Sequence, residues 1–192
     1  MAAGTLVLVV GPSGAGKDSV LNGARRALAG NARFVFVRRT ITRPSGAGGE
    51  DNIEATPERF AALQAGGAFS LTWRAHDLDY GIPNSIEEDL GAGRCVVANV
   101  SRAVIDRARD RYDPLRVVNV TAPVDVLAAR IAQRGREDAA SVAKRLQRAA
   151  QRVPDGPDVV TIRNTGALED AVDRFTEVLR RCASGYFSAV ST

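Results

Sequence analysis

The chain has 192 residues, of which 45% are hydrophobic and 25% are charged. These proportions are typical of a folded globular protein and exclude a disordered chain, a collagen-like repeat or a small disulfide-rich scaffold. Of the 26 basic residues only Lys17 and Lys144 are lysines, and the net charge of +4 favours anionic partners without identifying one.

Apolar runs typical of strands alternate with segments of helical periodicity along the chain. The predicted strands are 6–10, 34–37, 95–98, 117–120 and 159–162. The predicted helices are 17–28, one that begins at Thr56-Pro57, 101–111, 123–134, 139–150 and 168–182. This alternation predicts an α/β fold in which helices flank a parallel sheet. No repeat or low-complexity linker interrupts it, so we expect a single domain over residues 1–192.

A glycine-rich segment with the spacing of a P-loop follows the first strand. With 18 Gly and two Lys in the chain, this pattern is expected by chance roughly 0.02 times, which disfavours a turn without a ligand. We expect its backbone N–H groups and the start of the next helix to form a nest for the β-phosphate of a nucleotide, with Lys17 reaching the β- and γ-phosphate oxygens. The predicted nucleotide-binding residues are Gly11, Pro12, Ser13, Gly14, Ala15, Gly16, Lys17, Asp18 and Ser19.

Asp18 occupies the position at which a P-loop usually has a Ser or Thr that binds Mg²⁺. A carboxylate beside a triphosphate is repelled unless a cation lies between them. We therefore expect Asp18 to hold Mg²⁺, directly or through water. The alternative is that Asp18 only stabilises the first turn of its helix.

Three further segments carry residues suited to phosphate or nucleotide. Thr40 and Arg43 follow the second predicted strand, where guanidinium groups could grip an anionic acceptor. Arginines surround a helix break over residues 134–145, a pattern that predicts a lid over a transferring phosphoryl group. Asn164 lies where the last strand turns into the last helix, a position from which it could meet a base. A solvated basic surface is the alternative for both arginine segments.

The N-terminal apolar run stops at Gly11 and is too short for a signal peptide or a membrane span. Cys95 and Cys182 lie in apolar patterns and indicate buried thiols rather than a disulfide bond. We expect a cytoplasmic protein with no membrane partner. Nucleic-acid binding is disfavoured because aromatic residues make up only 5% of the chain. The oligomeric state stays open.

Together these motifs resemble the guanylate kinase fold group over most of the chain. The resemblance rests on the P-loop, Thr40-Ile41-Thr42-Arg43-Pro44 with Gly49-Glu50, Tyr80-Gly81, Arg134-Gly135-Arg136, and Asn164. It implies an acceptor-binding region over about 38–91. This region departs from guanylate kinases at positions that bind guanine in that group. Arg74 and Asn99 stand where guanylate kinases have carboxylates. Arg43, Arg74 and Arg102 favour an anionic acceptor over a purine edge.

A second resemblance is closer. Gly16-Lys17-Asp18-Ser19, Trp73-Arg74-Ala75-His76, Tyr80-Gly81-Ile82 and Asn99-Val100-Ser101-Arg102 are similar to the ribose 1,5-bisphosphate phosphokinases of bacterial phosphonate metabolism. In that family Asp after the P-loop Lys is usual. The family's Trp-His-Ala-His appears here with Arg74 as its second residue, so the role of Arg74 stays open. The resemblance implies ATP-dependent phosphorylation of the sugar 1-phosphate, which gives 5-phosphoribosyl 1-diphosphate.

The implied reaction needs no general base, because the second pKa of the acceptor phosphate is about 6 and its oxygen is already ionised at neutral pH. We expect His76, the only histidine, to orient the sugar or the loop. The predicted catalytic residues are Lys17, Arg134, Arg136 and Arg145. The predicted acceptor-binding residues are Thr40, Arg43, Glu50, Arg74, Tyr80, Asn99 and Arg102. The alternatives are a guanylate-type nucleoside monophosphate kinase and an inactive guanylate-kinase-like binding module.

Overall fold

The computed structural model describes residues 3–43, 51–133 and 153–185. The strands are β1 (Leu6–Val10), β2 (Phe34–Phe36), β3 (Thr40–Ile41), β4 (Ile53–Glu54), β5 (Phe69–Ala75), β6 (Leu78–Pro83), β7 (Cys95–Asn99), β8 (Leu115–Thr121) and β9 (Val159–Arg163). The described helices are α1 (Lys17–Ala27), α2 (Pro57–Ala65), α3 (Ile86–Gly91), α4 (Ile105–Arg109), α5 (Val124–Gln133) and α6 (Leu168–Ala183), with a 3₁₀ turn at Arg102–Val104.

The chain divides into two compact units, and β1 contributes to both. The first unit comprises Met1–Leu8 and Asn31–Leu115, and the second, called the P-loop unit here, comprises Val9–Gly30 and Arg116–Thr192. The interpretation of residues 1–192 as a single domain stays a prediction.

In the P-loop unit, β8 lies between β1 and β9 and pairs with β9 in parallel, from Val117 opposite Val159 to Thr121 opposite Arg163. α6 packs on β9 and on α1. Its buried face carries apolar residues at three- and four-residue steps: Ala171, Phe175, Leu179 and Cys182. Gly23 of α1 lets α6 approach closely, because a Cβ there would collide with the side chain of Val172.

The first unit holds two sheet segments. β7 lies between β2 and β1 and pairs with β2 in parallel, with Phe34 opposite Cys95. A separate four-stranded sheet has the order β4-β3-β6-β5. β5 and β6 form its antiparallel hairpin, whose turn residues His76 and Asp77 have φ values of 52° and 60°. Thr56 caps the start of α2, since its hydroxyl accepts a hydrogen bond from the N–H of Arg59 at 3.2 Å.

Most predicted elements agree with the structure, and the α/β fold with a parallel sheet flanked by helices is confirmed. The segment 101–111 differs, because it divides into a 3₁₀ turn and the short α4. The four-stranded sheet and α3 were absent from the sequence-based assignment. The predicted helix 139–150 lies outside the described residues. No helix in the described ranges is long and apolar enough to cross a membrane.

Candidate active site

The P-loop connects β1 to α1 and depends on glycine at three positions. Gly11, Gly14 and Gly16 have φ values of 147°, 84° and 82°, a region that residues with a Cβ rarely adopt. A Cβ at Gly11 would also collide with the carbonyl oxygen of Val120. The loop closes with a 3.3 Å hydrogen bond from the N–H of Ala15 to the Pro12 carbonyl. The predicted P-loop is thus formed in the structure.

Lys17, the first residue of α1, lies over this loop. Its Nζ donates to the carbonyl oxygens of Gly11 at 2.8 Å and Pro12 at 3.1 Å. These bonds hold the ammonium group above the P-loop, where the positive end of the α1 dipole also favours an anion. The arrangement fits a lysine that meets the phosphates of a nucleotide.

Asn164 anchors the P-loop from the end of β9. Its side chain is buried and its Nδ2 donates to the carbonyl of Ala15 at 2.8 Å. Its backbone N–H donates to the carbonyl of Thr121 at 2.7 Å, and its own carbonyl accepts a 3.1 Å bond from the guanidinium of Arg130. Asn164 therefore supports the loop that the nucleotide would contact. Its predicted contact with a base stays a prediction.

A cavity of about 350 Å³ opens beside the P-loop within the same unit. It is lined by Gly14, Gly16, Ser19, Arg130, Asn164, Gly166 and Leu168. The lining combines glycine backbone, an apolar side chain and a guanidinium plane, which suits the sugar and base of a nucleotide bound at the loop.

Asp18 lies in the first turn of α1 and is half-buried. Among the residues the structure describes, no group of three or more His, Cys, Asp or Glu side chains could hold a metal ion. A single carboxylate beside a phosphate nest nevertheless fits Mg²⁺, which proteins usually hold through one or two carboxylates and substrate phosphates.

The first unit carries the predicted acceptor residues that the structure describes. Thr40 is buried in β3 and pairs with Gly81 and Ile53. The neighbouring Thr42 accepts a 2.8 Å hydrogen bond at its hydroxyl from the N–H of Asp79. This bond fixes the chain immediately before Arg43, which is half-buried.

The ring of Tyr80 contacts two side chains that are not among the predicted site residues, Trp73 and Arg39. Its ring stacks on Trp73 with centroids 5.1 Å apart and planes inclined by 5°, and the Arg39 guanidinium carbon lies 5.4 Å from the Tyr80 centroid. Arg39 also donates to the carbonyl of Asn99 at 3.2 Å. The structure thus brings Tyr80 and Asn99 together through Arg39, whose only sequence signal was its place in the basic segment after β2.

Arg74 and Arg102 have different surroundings. Arg74 is exposed and pairs with Asp79 in the β5–β6 register, so the pleat directs its side chain away from the face of Trp73 and Tyr80. Burial lowers the pKa of the half-buried Arg102 guanidinium, as expected for a cation partly removed from water. The structure therefore does not bring Arg74 and Tyr80 to one face of the sheet.

Four predicted site residues lie outside the described residues: Glu50, Arg134, Arg136 and Arg145. The predicted lid over 134–145 lies outside them as well. Their roles stay predictions from the sequence.

The sheet order and the P-loop between β1 and α1 define a P-loop protein with the guanylate kinase fold. The solved structure of guanylate kinase from Anaplasma phagocytophilum matches with a TM-score of 0.69 at 17% identity, over 98% of this chain and 89% of that one. This likeness shows the fold alone. No protein-family model matches the chain.

Curated relatives identify the family within that class. The chain is 52% identical over 163 residues to ribose 1,5-bisphosphate phosphokinase PhnN of Rhodopseudomonas palustris, which covers 85% of this chain and 81% of the relative. It is 50% identical over 181 residues to the bifunctional ribose 1,5-bisphosphokinase-thymidine phosphorylase of Cupriavidus pinatubonensis, over 94% of this chain but only 30% of that longer relative. The chain belongs to the ribose 1,5-bisphosphate phosphokinase family.

Proposed function

We propose that the protein transfers the γ-phosphoryl group of ATP to the 1-phosphate of ribose 1,5-bisphosphate. The products are 5-phosphoribosyl 1-diphosphate and ADP. Family membership supports the substrate class, and the observation that carries the proposal is the formed P-loop with Lys17 over it. An inactive binding module is not favoured, because the relatives are named as kinases.

In the proposed reaction an ionised oxygen of the 1-phosphate attacks the γ-phosphorus of ATP. The new P–O bond forms as the bond to the β-phosphate oxygen breaks, and the electron pair leaves with ADP. No proton needs removal, since the attacking oxygen is already ionised at neutral pH with a pKa of about 6. Catalysis then consists of positioning and charge neutralisation.

Each part of the site has a distinct role in this proposal. The P-loop N–H groups and Lys17 bind the phosphates of ATP, while Arg43 and Thr40 bind a phosphate of the acceptor. Asp18 would hold Mg²⁺, which supplies charge neutralisation at the triphosphate. From the sequence alone, we assign the neutralisation of the transferring group also to three arginines: Arg134, Arg136 and Arg145.

A paired acceptor assay tests the proposed function. We expect kcat/KM for ribose 1,5-bisphosphate to exceed that for GMP by at least about 100-fold, because Arg74 and Asn99 replace the carboxylates that would accept hydrogen bonds from guanine. ADP release is measured with each acceptor at fixed ATP and Mg²⁺, with ribose 5-phosphate, which lacks the 1-phosphate, as a control acceptor. A preference for GMP would overturn the assignment.

The magnesium role of Asp18 predicts a shift in metal dependence. Replacing Asp18 with Ala should raise the Mg²⁺ concentration needed for half-maximal turnover by about 10-fold, since one direct or water-mediated carboxylate ligand is lost. The adjacent Ser19→Ala variant is the control, because its hydroxyl is the other candidate ligand. If Ser19→Ala shifts the Mg²⁺ dependence and Asp18→Ala does not, the hydroxyl rather than the carboxylate holds the metal.

A further inference from the structure

Two arginines, one in α4 and one just after it, bind the outer edge of β5 within the first unit. β5 is the last strand in the order β4-β3-β6-β5, so alternate carbonyl groups of β5 face away from β6. Arg107 Nη1 donates to the Thr72 carbonyl at 3.0 Å, and Arg111 Nη1 donates to the Ser70 carbonyl at 2.8 Å. The two guanidinium groups, called the arginine clamp here, therefore bind consecutive outward carbonyls of β5.

The spacing of the arginine clamp matches the spacing of the carbonyls that it binds. Arg111 follows Arg107 by four residues and lies one turn further along, since the N–H of Tyr112 still donates to the Ala108 carbonyl at 2.9 Å. Four helical residues rise about 6 Å, and two strand residues rise about 6.6 Å. This match lets both arginines bind the edge of β5 at the same time.

Glu87 fixes the second arginine of the clamp. Its Oε1 accepts hydrogen bonds from Arg111 Nη2 at 2.7 Å, the Tyr112 hydroxyl at 2.7 Å and the Ser70 hydroxyl at 2.9 Å. Because Arg111 also binds the Ser70 carbonyl, these bonds close a ring that joins β5, α3 and the end of α4. Partial burial raises the pKa of the Glu87 carboxyl, but the hydrogen bonds that it accepts and the guanidinium charge lower that pKa further, to below its usual value. Glu87 is therefore ionised at neutral pH, where the ring is intact.

The clamp joins two parts of the first unit that carry different predicted acceptor residues. Thr40 and Tyr80 lie on the four-stranded sheet, of which β5 is the edge. Asn99 ends β7, and Arg102 begins the 3₁₀ turn that leads directly into α4. The distance between the sheet and α4 therefore determines the distance between these two pairs of residues. A misplacement of about 1 Å can cost about 100-fold in rate when several groups must act on one substrate.

We infer that Arg107 and Arg111 are positioning residues for the acceptor, because the clamp holds the four-stranded sheet at one spacing from the β7–α4 segment. The inference rests on the proposed function, since it needs an acceptor that contacts both parts of the first unit. The two arginines do not touch the acceptor and act through the placement of other residues. Arg39 makes a second connection through its bond to the Asn99 carbonyl, so loss of the clamp lets the sheet tilt rather than detach.

Alanine substitutions test the clamp by separating the KM values of the two substrates. Arg107→Ala should raise the acceptor KM about 3-fold, and Arg111→Ala about 5-fold because its bond to Glu87 is lost as well. The double variant should raise the acceptor KM at least about 10-fold and leave the KM for ATP unchanged. Arg107→Lys should restore most of the affinity, because an ammonium group can replace a single bond. Arg111→Lys should restore less, since one nitrogen does not match the two positions of a guanidinium fork.

Hydrogen exchange measures the attachment of the sheet in the absence of any substrate. In the double variant the amides of β5 and β6 should exchange about 10-fold faster, since local opening of the edge costs less free energy. The amides of α6, in the P-loop unit, should exchange at the wild-type rate. Faster exchange of β5 with an unchanged acceptor KM would overturn the inference, because the clamp would then stabilise the sheet without positioning acceptor residues. Unchanged exchange would overturn it as well.

Two matched variants control for charge and for stability. Arg109→Ala removes an exposed arginine of the same helix, which pairs with Asp106 at 3.6 Å, and should leave the acceptor KM unchanged. Phe60→Leu weakens the stacking on Phe69 in the same unit, where the ring centroids are 4.8 Å apart, and keeps both clamp arginines. It should lower the melting temperature as the double variant does, without raising the acceptor KM. An equal rise in the acceptor KM would mean that lost stability alone explains the effect of the clamp variants, which would overturn the inference.

The kinetic measurements use the acceptor that the wild-type protein phosphorylates, ribose 1,5-bisphosphate or GMP. Failure of the proposed function then shows as a wild-type preference for GMP. Failure of the positioning role shows as an acceptor KM that the double variant leaves unchanged. Turnover of neither acceptor would overturn both.

Discussion

Replacing Lys17 with Ala should lower kcat by about 10²–10³-fold, the range seen when one preorganised electrostatic group is removed from an active site. The Lys17 ammonium lies over the P-loop through its bonds to the Gly11 and Pro12 carbonyls. Phosphoryl transfer relies on positioning and charge neutralisation, so a missing point charge at the β- and γ-phosphates acts directly on the transition state. The measurement is steady-state ADP release at saturating ATP and acceptor.

The fold should survive this substitution, because Lys17 is half-buried and its bonds end on carbonyls of one loop, although each bond from a charged donor contributes about 1.5–3 kcal/mol. Circular dichroism melting checks that point. Lys17→Arg should stay impaired, since a planar guanidinium does not replace a compact ammonium at this position. Arg26→Ala is the matched control: it removes an exposed cation from the last turn of the same helix and should leave kcat unchanged. Turnover by Lys17→Ala within about 10-fold of wild type would place the lysine away from the reacting phosphates.

The P-loop unit was predictable because its signals are local. The five apolar residues of β1 are all fully buried, and buried parallel strands are read from such runs. Helical periodicity located α6 over nearly its whole length, and the spacing of Gly11, Gly16 and Lys17 predicted a loop whose geometry depends on adjacent residues. Each of these features is contained in a window of fewer than about 20 residues.

The four-stranded sheet was not predictable, because no short stretch of sequence signals how its strands pair. β3 and β4 have two residues each, too few to show alternation, and they pair in parallel although they follow one another in the chain. The β5–β6 hairpin turns at His76 and Asp77, both with positive φ, at a position where glycine or asparagine is the usual signal. Without that turn the register that places Trp73 opposite Tyr80 could not be derived.

The candidate site likewise combines residues with local sequence signals and residues that only the fold brings together. Lys17 and Asp18 were found from local spacing, whereas the bond from Asn164 to Ala15 joins residues 149 positions apart, and only the fold brings them together. Arg39 was missed because arginines are rarely buried, so a basic segment is normally interpreted as a solvated surface. The chemistry of its guanidinium was visible in the sequence, but its burial against Tyr80 was not.

Glycine at position 11 should prove as critical for folding as Lys17 is for turnover. Gly11→Ala should lower the free energy of unfolding by about 2–5 kcal/mol, because the residue has a φ of 147° and its new Cβ would collide with the Val120 carbonyl. That neighbour is backbone of β8 and cannot swing away as a side chain could. The collision must therefore be relieved by moving the P-loop itself, and phosphate binding should weaken together with stability. Chemical denaturation and ATP titration measure the two effects.

Gly30→Ala separates backbone strain from collision. Gly30 also has a glycine-favouring φ, of 80°, but no atom lies within 4 Å of the position that a Cβ would occupy, so only the conformational cost applies. That variant should lose about 1 kcal/mol of stability and keep its affinity for ATP. The difference between the two variants then gives the combined cost of crowding Val120 and of the φ of Gly11, which a residue with a Cβ adopts less readily than that of Gly30. The prediction would be contradicted if Gly11→Ala and Gly30→Ala lowered stability equally and Gly11→Ala still bound ATP normally. The loop would then tolerate a side chain at position 11, and its close contact with β8 would not shape the phosphate nest.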